Sequence, residues 1–443
     1  MAKDERLLTP EEVEYIAFEG GGGKGNAYLG AIKAIWEMIL TKENSLKGYA
    51  GASAGAITAL LLASGYSHSK IKEILSTDFN RFFDFPEPGK KIIAGENLAS
   101  TPDPLDAQAS SPALKSKIAE LEAFGKKMLD EGTSEIKEAF LATLNISELV
   151  KKSIKDITTL LISGSLRTEN PVLATKLRMW KNRYWACVMK DLGLFSGFEI
   201  HNFFNKIIKA KYSGSGSKGW VNFEDHYKFF GKKLKFTAVN LTTQKVHILS
   251  KETTPKLPVA TAARMSMSLP LVYKPVIFNK KALSKYELVD SIWGGFWVDG
   301  GLFNNAPVQV FDSDKSLLFR LGNHDERNEI DSILSLFKVW FLKVGVLGSG
   351  SGQISESTFK YYYQHLITLD TTGTSLLKFN LPPYSLGKLE ERNYEITKKY
   401  FQDASLQKQL EEVEKEEEQY PQSQYPKLSG QEDWKDIDQV SEM

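Results

Sequence analysis

The sequence is short of cysteine: it has one, Cys187, among 443 residues. A single cysteine excludes an intramolecular disulfide framework, so nothing in the cysteine content indicates an oxidising compartment. We interpret Cys187 as a small buried hydrophobic residue. Clusters of His, Cys, Asp and Glu with metal-ligand spacing are also lacking, and we therefore expect no metal site and no cofactor.

An excess of one charge sign is lacking as well. The chain has 56 Lys and Arg against 55 Asp and Glu, for a formal net charge of +1. No block of basic residues stands out, so we expect no nucleic-acid partner. The 42% hydrophobic and 25% charged residues are instead typical of a globular protein with a sizeable core.

Long apolar runs are missing too. A membrane-spanning helix needs roughly 20 apolar residues, but the longest run, ILSLFKVWFLKVGVL at 333–347, is interrupted by Lys338 and Lys343. We interpret this run as a core helix, with a helix at a membrane interface as the alternative. The N-terminal MAKDERLLTPEEVEY lacks the apolar segment of a secretory signal. A cytoplasmic protein is expected, and export without a cleaved signal stays open.

Strand and helix patterns alternate near the N-terminus. VEYIAF at 13–18 is short and apolar like a buried strand, whereas residues 28–40 repeat apolar side chains every three to four positions, as an amphipathic helix does. A second strand, turn and helix surround Ser53. Further strand-like segments lie at 234–241, 245–249, 271–278, 295–298 and 316–321. This alternation predicts an α/β fold.

The α/β pattern is interrupted once. Residues 86–227 are rich in Lys, Glu and helical patterns punctuated by proline, which predicts a mainly helical insertion. The insertion is a candidate lid, with decoration of the fold as the alternative. The predicted α/β core thus comprises residues 1–85 and 228–325. Residues 326–405 form a predicted helical C-terminal region, a candidate membrane or partner contact, and residues 406–443 an acidic, partly disordered tail.

A glycine-rich loop, GGGGKG at 20–25, follows the first predicted strand. Its letters match the dinucleotide fingerprint G-x-G-x-x-G, but the acidic residue expected about 20 positions later would be Glu43, which lies before any second strand. A Walker A phosphate loop is excluded because Asn26 stands where its lysine should be. Successive amides without Cβ atoms can also turn toward one small anion, so the loop is a candidate oxyanion hole.

Residues 51–55, GASAG, match the nucleophile elbow G-x-S-x-G. In that motif the serine occupies a sharp turn between a strand and a helix, where side chains at Gly51 and Gly55 would clash. The apolar segments on both sides of Ser53 fit this context. Ser53 is therefore the candidate nucleophile.

A candidate base lies far downstream, at Asp299 in VDGG. The aspartate ends an apolar strand pattern and precedes two glycines. A carboxylate held at a strand end and partly removed from water can accept a proton from a serine hydroxyl. Asp-Gly-Gly is also a common turn, so the motif does not assign the role alone.

In chain order, GGGGKG at 20–25, GASAG at 51–55 and DGG at 299–301 resemble the G-G-G-x-R/K-G, G-x-S-x-G and D-G-G/A pattern of the patatin-like phospholipases. VATAARMSMSLPLVYKPV at 259–276 and NNAPV at 304–308 also resemble family segments on either side of the aspartate. The lysine in the loop and the large insertion are closest in character to the bacterial effector-like members.

The resemblance implies a patatin-like α/β/α sandwich with a mostly parallel central sheet, a large helical insertion and a mainly helical C-terminal region. It implies a calcium-independent acyl hydrolase of phospholipids, with Ser53 as nucleophile and Asp299 as base. The implied oxyanion donors are the amides of Gly21, Gly22 and Gly23. Lys24, with Gly25, would support the loop or contact a lipid phosphate, and Gly51 and Gly55 would shape the elbow.

The implied partners are a phospholipid membrane surface and, as a candidate, an activating host protein. Peripheral membrane association and export into a host cell follow from the same resemblance. Two alternatives stay open. One is an α/β-hydrolase esterase whose triad is completed by His324 or His365, and the other is a catalytically idle binding module on the same scaffold.

Overall fold

The computed structural model describes residues 7–40, 46–95, 171–179, 181–213, 219–302, 304–322, 365–375 and 378–419. The 333–347 run and His324 lie outside these ranges. The strands in the described residues are β1 (Tyr15–Phe18), β2 (Gly48–Gly51), β3 (Ile92–Ile93), β4 (Gly193–Phe195), β5 (Lys233–Asn240), β6 (Lys245–Ser250), β7 (Leu271–Tyr273), β8 (Val276–Phe278), β9 (Gly295–Asp299), β10 (Ser316–Leu321) and β11 (Leu366–Leu369).

The α-helices in the same ranges are α1 (Tyr28–Ile35), α2 (Ala54–Ala63), α3 (His68–Leu75), α4 (Pro171–Met179), α5 (Lys181–Asp191), α6 (Phe198–Lys211), α7 (Phe223–Phe230), α8 (Val259–Ser266), α9 (Lys280–Tyr286), α10 (Asp290–Trp293) and α11 (Pro383–Gln419). Short 3-10 helices span Gly22–Ala27, Phe79–Phe82, Gly300–Leu302 and Val308–Phe311. None of the helices in the described ranges combines the length and hydropathy needed to cross a bilayer.

Nine of the described strands form one sheet in the order β11-β10-β1-β2-β5-β9-β8-β3, with β6 also paired to β5. The run from β11 to β5 is parallel throughout, whereas β9 is antiparallel to both β5 and β8. The predicted α/β sandwich with a mostly parallel central sheet is confirmed.

The central strands are buried on both faces, which is why they read as continuous apolar runs rather than alternating ones. On one face, Ile16 and Phe18 join the main core, where helices α1 and α2 pack. On the other face, Ala17 and Ala50 meet the turn that contains Val308. Small side chains on this second face let the turn approach the sheet closely.

One predicted strand, 271–278, is two strands in the structure. β7 pairs in parallel with β4 in a separate two-stranded sheet, and β8 joins the main sheet. The break falls at Lys274 and Pro275; proline has no amide to donate to a strand ladder, so the pairing changes there.

The described part of residues 86–227 is mainly helical, with helices α4, α5 and α6, as expected for the insertion. Two short strands of this stretch pair with strands of the predicted core: β3 with β8, and β4 with β7. The insertion is therefore anchored to the predicted core at two places in its described part. Its boundaries and its role as a lid stay predictions.

The C-terminal helix α11 packs along α1, the helix that follows the glycine loop. The contact is close because Gly30 has no side chain: a Cβ there would lie 2.2 Å from the carbonyl oxygen of Glu390 and 2.5 Å from the amide nitrogen of Tyr394. The C-terminal region thus reaches the helix that carries the glycine loop.

This packing predicts a measurable cost for Gly30→Ala. Overpacking a tight helix contact typically costs about 1 to 3 kcal/mol, so we expect the free energy of unfolding in urea to fall by that amount. Gly387→Ala is the matched control, since Gly387 lies in α11 with no atom within 4 Å of its Cβ position. It should leave stability unchanged or raise it through helix propensity. Equal effects of the two variants would contradict the described contact.

Candidate active site

Ser53 lies in a sharp turn between β2 and α2, with φ 50° and ψ −119°. This left-handed backbone is uncommon for a residue with a side chain and is costly unless the surroundings enforce it. The surroundings require glycine on both sides: a Cβ on Gly51 would lie 2.3 Å from the carbonyl group of Gly55, and one on Gly55 would lie 2.2 Å from the carbonyl oxygen of Phe18. The G-x-S-x-G spacing is thus a steric requirement of this turn.

Asp299 lies at the end of β9, a strand that runs antiparallel to the strand leading to Ser53. Because β9 runs antiparallel to β5, with Asp299 opposite Ala238, the last residue of β9 lies beside the end of β2. The Ser53 hydroxyl donates to Asp299 Oδ2 at 2.7 Å. The second carboxylate oxygen, Oδ1, accepts the amide of Gly301 at 2.7 Å. Both oxygens of the buried carboxylate are therefore engaged.

Burial of Asp299, a residue that is 2% exposed, raises the pKa of its carboxyl from 3.8 to about 7. The hydrogen bonds from Ser53 and from the Gly301 amide lower this pKa but do not offset the burial. A carboxyl group that titrates near neutral pH can both take up and return a proton. Asp299 can therefore accept the proton of the Ser53 hydroxyl.

The glycine loop forms the wall opposite this pair. Gly20 through Gly23 line the same cavity as Ser53 and Asp299. The loop turns at Gly22, with φ 53°, and continues as the 3-10 helix Gly22–Ala27. The structure thus brings Gly21, Gly22 and Gly23 into the same cavity as Ser53.

Gly25 also lines the cavity, and its Cβ position lies 3.0 Å from the Cβ of Ala54, so the loop packs directly on the start of α2. Lys24 lies between two lining residues but does not line the cavity itself. The Lys24 charge instead helps to lower the pKa of the buried Glu19, against the larger effect of burial. Of the two roles predicted for Lys24, this placement favours support of the loop.

Beyond its polar end the cavity is apolar, with a volume of about 150 Å³. The apolar lining includes Leu75, Phe79, Phe83, Val272 and Phe379. Such a lining suits an apolar group, because burial of apolar surface is favourable.

Asn305 and Glu19 were not singled out from the sequence, although NNAPV was noted as a segment. Asn305 Nδ2 donates to the carbonyl oxygen of Gly20 at 3.0 Å and to Glu19 Oε1 at 3.2 Å, while the Gly20 amide donates to the Asn305 carbonyl oxygen at 3.0 Å. Glu19 Oε2 accepts the Leu321 amide at 2.6 Å. These bonds hold the first residue of the glycine loop in place.

Phe379 was also missed, because no local pattern in the sequence marks it. It follows β11 and lines the cavity, and its carbonyl oxygen accepts Asn26 Nδ2 at 3.0 Å. The glycine loop is close to the same segment, since a Cβ on Gly23 would lie 2.5 Å from the carbonyl oxygens of Ser375 and Lys378. The C-terminal region therefore supplies part of the cavity wall.

No histidine of the described residues lines this cavity. His365 immediately precedes β11, at the far edge of the sheet. The direct bond from Ser53 to Asp299 also occupies the position that an imidazole would take between them in a triad. This geometry favours a two-residue arrangement.

Comparison with known proteins finds similar viral proteins and a similar solved structure. An uncharacterized protein of Acanthamoeba polyphaga mimivirus is 21% identical over 382 residues, which are 85% of this chain and 89% of that protein. A probable lipid hydrolase of Invertebrate iridescent virus 6 is 22% identical over 210 residues, 47% of this chain and 61% of that protein. Among solved structures, VipD from Legionella pneumophila matches with a TM-score of 0.43 and 19% identity, over 89% of this chain and 67% of VipD.

A mostly parallel sheet with a serine on a sharp strand-to-helix turn is typical of α/β hydrolytic enzymes in the broad sense. The particular family follows from the family model of patatin-like phospholipases, which matches residues 16–312 and so includes the glycine loop, the elbow and Asp299. The chain belongs to the patatin-like phospholipase family. Its class is that of the lipid hydrolases.

Proposed function

We propose that this protein is a calcium-independent acyl hydrolase of the phospholipase A type, with Ser53 as nucleophile and Asp299 as its only base. The observation that carries the proposal is the 2.7 Å hydrogen bond from Ser53 Oγ to Asp299 Oδ2 at the polar end of an apolar cavity. The glycine-loop amides supply the oxyanion hole, and the apolar lining takes the fatty acyl chain.

In the first half of the proposed reaction, Ser53 Oγ forms a bond to the ester carbonyl carbon while its proton passes to Asp299. The negative charge that develops on the carbonyl oxygen is stabilised by the amides of Gly21, Gly22 and Gly23. When the tetrahedral intermediate collapses, the ester C–O bond breaks and Asp299 returns the proton to the leaving lysophospholipid alkoxide.

In the second half, Asp299 takes a proton from a water molecule that attacks the acyl carbon on Ser53. The acyl–serine bond breaks, the proton returns to Ser53 Oγ, and the fatty acid leaves. Asp299 acts as base and acid alternately in both halves, a task suited to a carboxyl whose pKa is about 7.

The direct test is fatty acid release from phosphatidylcholine vesicles, with and without EDTA and with and without a eukaryotic cell extract. Equal rates with and without EDTA are expected for a calcium-independent enzyme. A rate that rises with extract supports an activating host protein as partner. A wild-type protein that neither releases fatty acid nor reacts with a fluorophosphonate probe under any of these conditions would identify an idle binding module instead.

The pH dependence of the rate follows from Asp299. The base must be ionised to accept the Ser53 proton, and its pKa is about 7. We therefore expect kcat/KM to fall as pH decreases through 7, about tenfold per pH unit well below it. The measurement is fatty acid release between pH 5 and 9. Vesicles loaded with a fluorescent dye, incubated without enzyme, serve as the control that the vesicles stay intact at each pH. A flat profile over that range would contradict the assignment of Asp299 as base.

A further inference from the structure

The end of helix α8 contacts both residues of the proposed dyad, and we propose that Ser266 is a positioning residue that holds the nucleophile elbow in its reactive conformation. This inference rests on the proposed function. Ser266 lies in the RMSMS stretch at 264–268, within a segment noted for its resemblance to the family but without any role for the residue itself.

The first contact is to the nucleophile. The backbone amide of Ser53 donates to Ser266 Oγ at 3.1 Å, a bond between residues 213 positions apart. Ser266 is fully buried, so water cannot replace its hydroxyl as the acceptor. Because Ser53 immediately precedes α2, no carbonyl group of that helix can accept its amide, which depends on an acceptor supplied from elsewhere.

The second contact is to the base. The amide of Asp299 donates to the carbonyl oxygen of Ser268 at 3.0 Å. The stretch from Ser266 to Ser268 thus accepts the amides of both Ser53 and Asp299, whose side chains meet at 2.7 Å. One short segment of the chain therefore positions two residues that are far apart in the sequence.

A buried arginine fixes that piece of backbone. The guanidinium of Arg264, fully buried, donates to Ser268 Oγ, to the carbonyl oxygen of Ser196 at 2.7 Å and to that of Lys274 at 3.0 Å. Ser268 Oγ in turn donates to the Arg264 carbonyl oxygen at 2.7 Å. A planar group with several fixed donors holds its acceptors rigidly. The end of α8 is therefore a rigid support for the two amides.

Removing the Ser266 hydroxyl should disturb the angle of Ser53 more than the fold. Alanine fills nearly the same volume, and only the acceptor for one strained amide is lost. Small displacements of a reacting group reduce the chemical step strongly, while a cavity made by other residues still binds lipid. We therefore expect Ser266→Ala to lower kcat about tenfold at unchanged KM, with a similar decrease in the rate of fluorophosphonate labelling.

The matched control is Ser64→Ala. Ser64 is also a buried serine with one side-chain hydrogen bond, to His226 at 3.1 Å, and it follows the opposite end of the same helix α2. We expect Ser64→Ala to lower the melting temperature at least as much as Ser266→Ala does, while kcat per folded molecule stays unchanged. Ser266→Cys, which keeps the shape and a weaker acceptor, should give a kcat between those of alanine and wild type.

The outcomes separate the two proposals. If wild type hydrolyses phospholipid and Ser266→Ala has a kcat within twofold of it, the positioning role is wrong while the proposed function stands. A decrease of equal size in Ser64→Ala would also overturn it, because the effect would then reflect general loss of packing. A wild type without hydrolysis or labelling overturns the proposed function itself.

Discussion

Replacing Ser53 with alanine is expected to abolish fatty acid release from phosphatidylcholine vesicles, and Asp299→Asn is expected to reduce it by about 10²- to 10⁴-fold, the usual contribution of a general base. Alanine removes the atom that would carry the acyl group. Asparagine keeps the shape of Asp299 but cannot accept the proton that Ser53 Oγ now donates across 2.7 Å. The measurement is the rate per mole of folded protein, together with fluorophosphonate labelling.

Two substitutions serve as controls for this prediction. Ser64→Ala removes a buried hydroxyl at the other end of α2, and Asp312→Asn changes an exposed aspartate with φ 49°, a conformation that asparagine accepts well. Both should retain the wild-type rate. If His324→Ala or His365→Ala lost activity as Asp299→Asn does, a Ser-Asp-His triad would replace the proposed pair.

Asp299→Asn should also stabilise the protein at neutral pH. The pKa of Asp299 in the folded state is about 7, above its ordinary 3.8, so its contribution to stability is present at pH below 3.8 and is lost as pH rises through 7. A neutral asparagine does not carry this cost. We expect Asp299→Asn to melt at least about 2 °C higher than wild type at pH 8, with a smaller difference at pH 4. Loss of activity with a gain of stability is typical of a functional charge in a buried site.

The three glycine motifs could be recognised because each is a short run of adjacent letters, although some contacts that require glycine are with distant residues, such as Phe18 for Gly55. Gly51 and Gly55 leave no room for a Cβ, so the elbow can be read from five adjacent letters. The α/β fold was predictable for a related reason, since apolar runs of strand length alternate with helical spacing. Both signals are carried by neighbours in the chain.

The contacts that complete the site were not predictable in this way. Apolar spacing identifies β9 as a strand but does not give its direction, and its antiparallel direction is what brings Asp299 beside the elbow. Ser266 and Phe379 approach Ser53 and Asn26 only after distant segments pack together. One sequence contains no signal for such pairings, because each depends on the whole arrangement of the sheet.

A buried ion pair connects the insertion to the cavity wall. Lys274 Nζ lies 2.9 Å from Asp191 Oδ2, and both side chains are 1% exposed. Lys274 also donates to the carbonyl oxygens of Glu87 at 2.7 Å and Lys90 at 2.9 Å, and Asp191 Oδ2 accepts the Gly89 amide at 2.8 Å. The pair therefore joins the end of α5, the loop at 87–90 and the residue that follows β7.

We expect Asp191→Ala to lower the free energy of unfolding by about 3 to 5 kcal/mol, because it leaves the Lys274 ammonium buried without an opposite charge. Lys274→Met should have an effect of the same size, since it leaves the Asp191 carboxylate unpaired. Combining Lys274→Met with Asp191→Leu should cost much less than the sum of the two single changes, because no isolated charge then stays buried. Urea unfolding followed by circular dichroism measures all of these variants.

Glu224→Gln is the matched control for this ion pair, because Glu224 bonds two lysines at the surface, where water screens the charges. Glu224→Gln should lower the free energy of unfolding far less than either single substitution in the buried pair.

The ion pair also lies next to the cavity. Phe83 and Tyr273 both line the cavity; the loop that Lys274 holds follows Phe83, and Lys274 itself follows Tyr273. The destabilised variants should therefore show a raised KM for phospholipid while kcat changes little. An unchanged KM would show that the pair does not shape the cavity wall, and strictly additive changes in the free energy of unfolding would show that the two charges are not coupled.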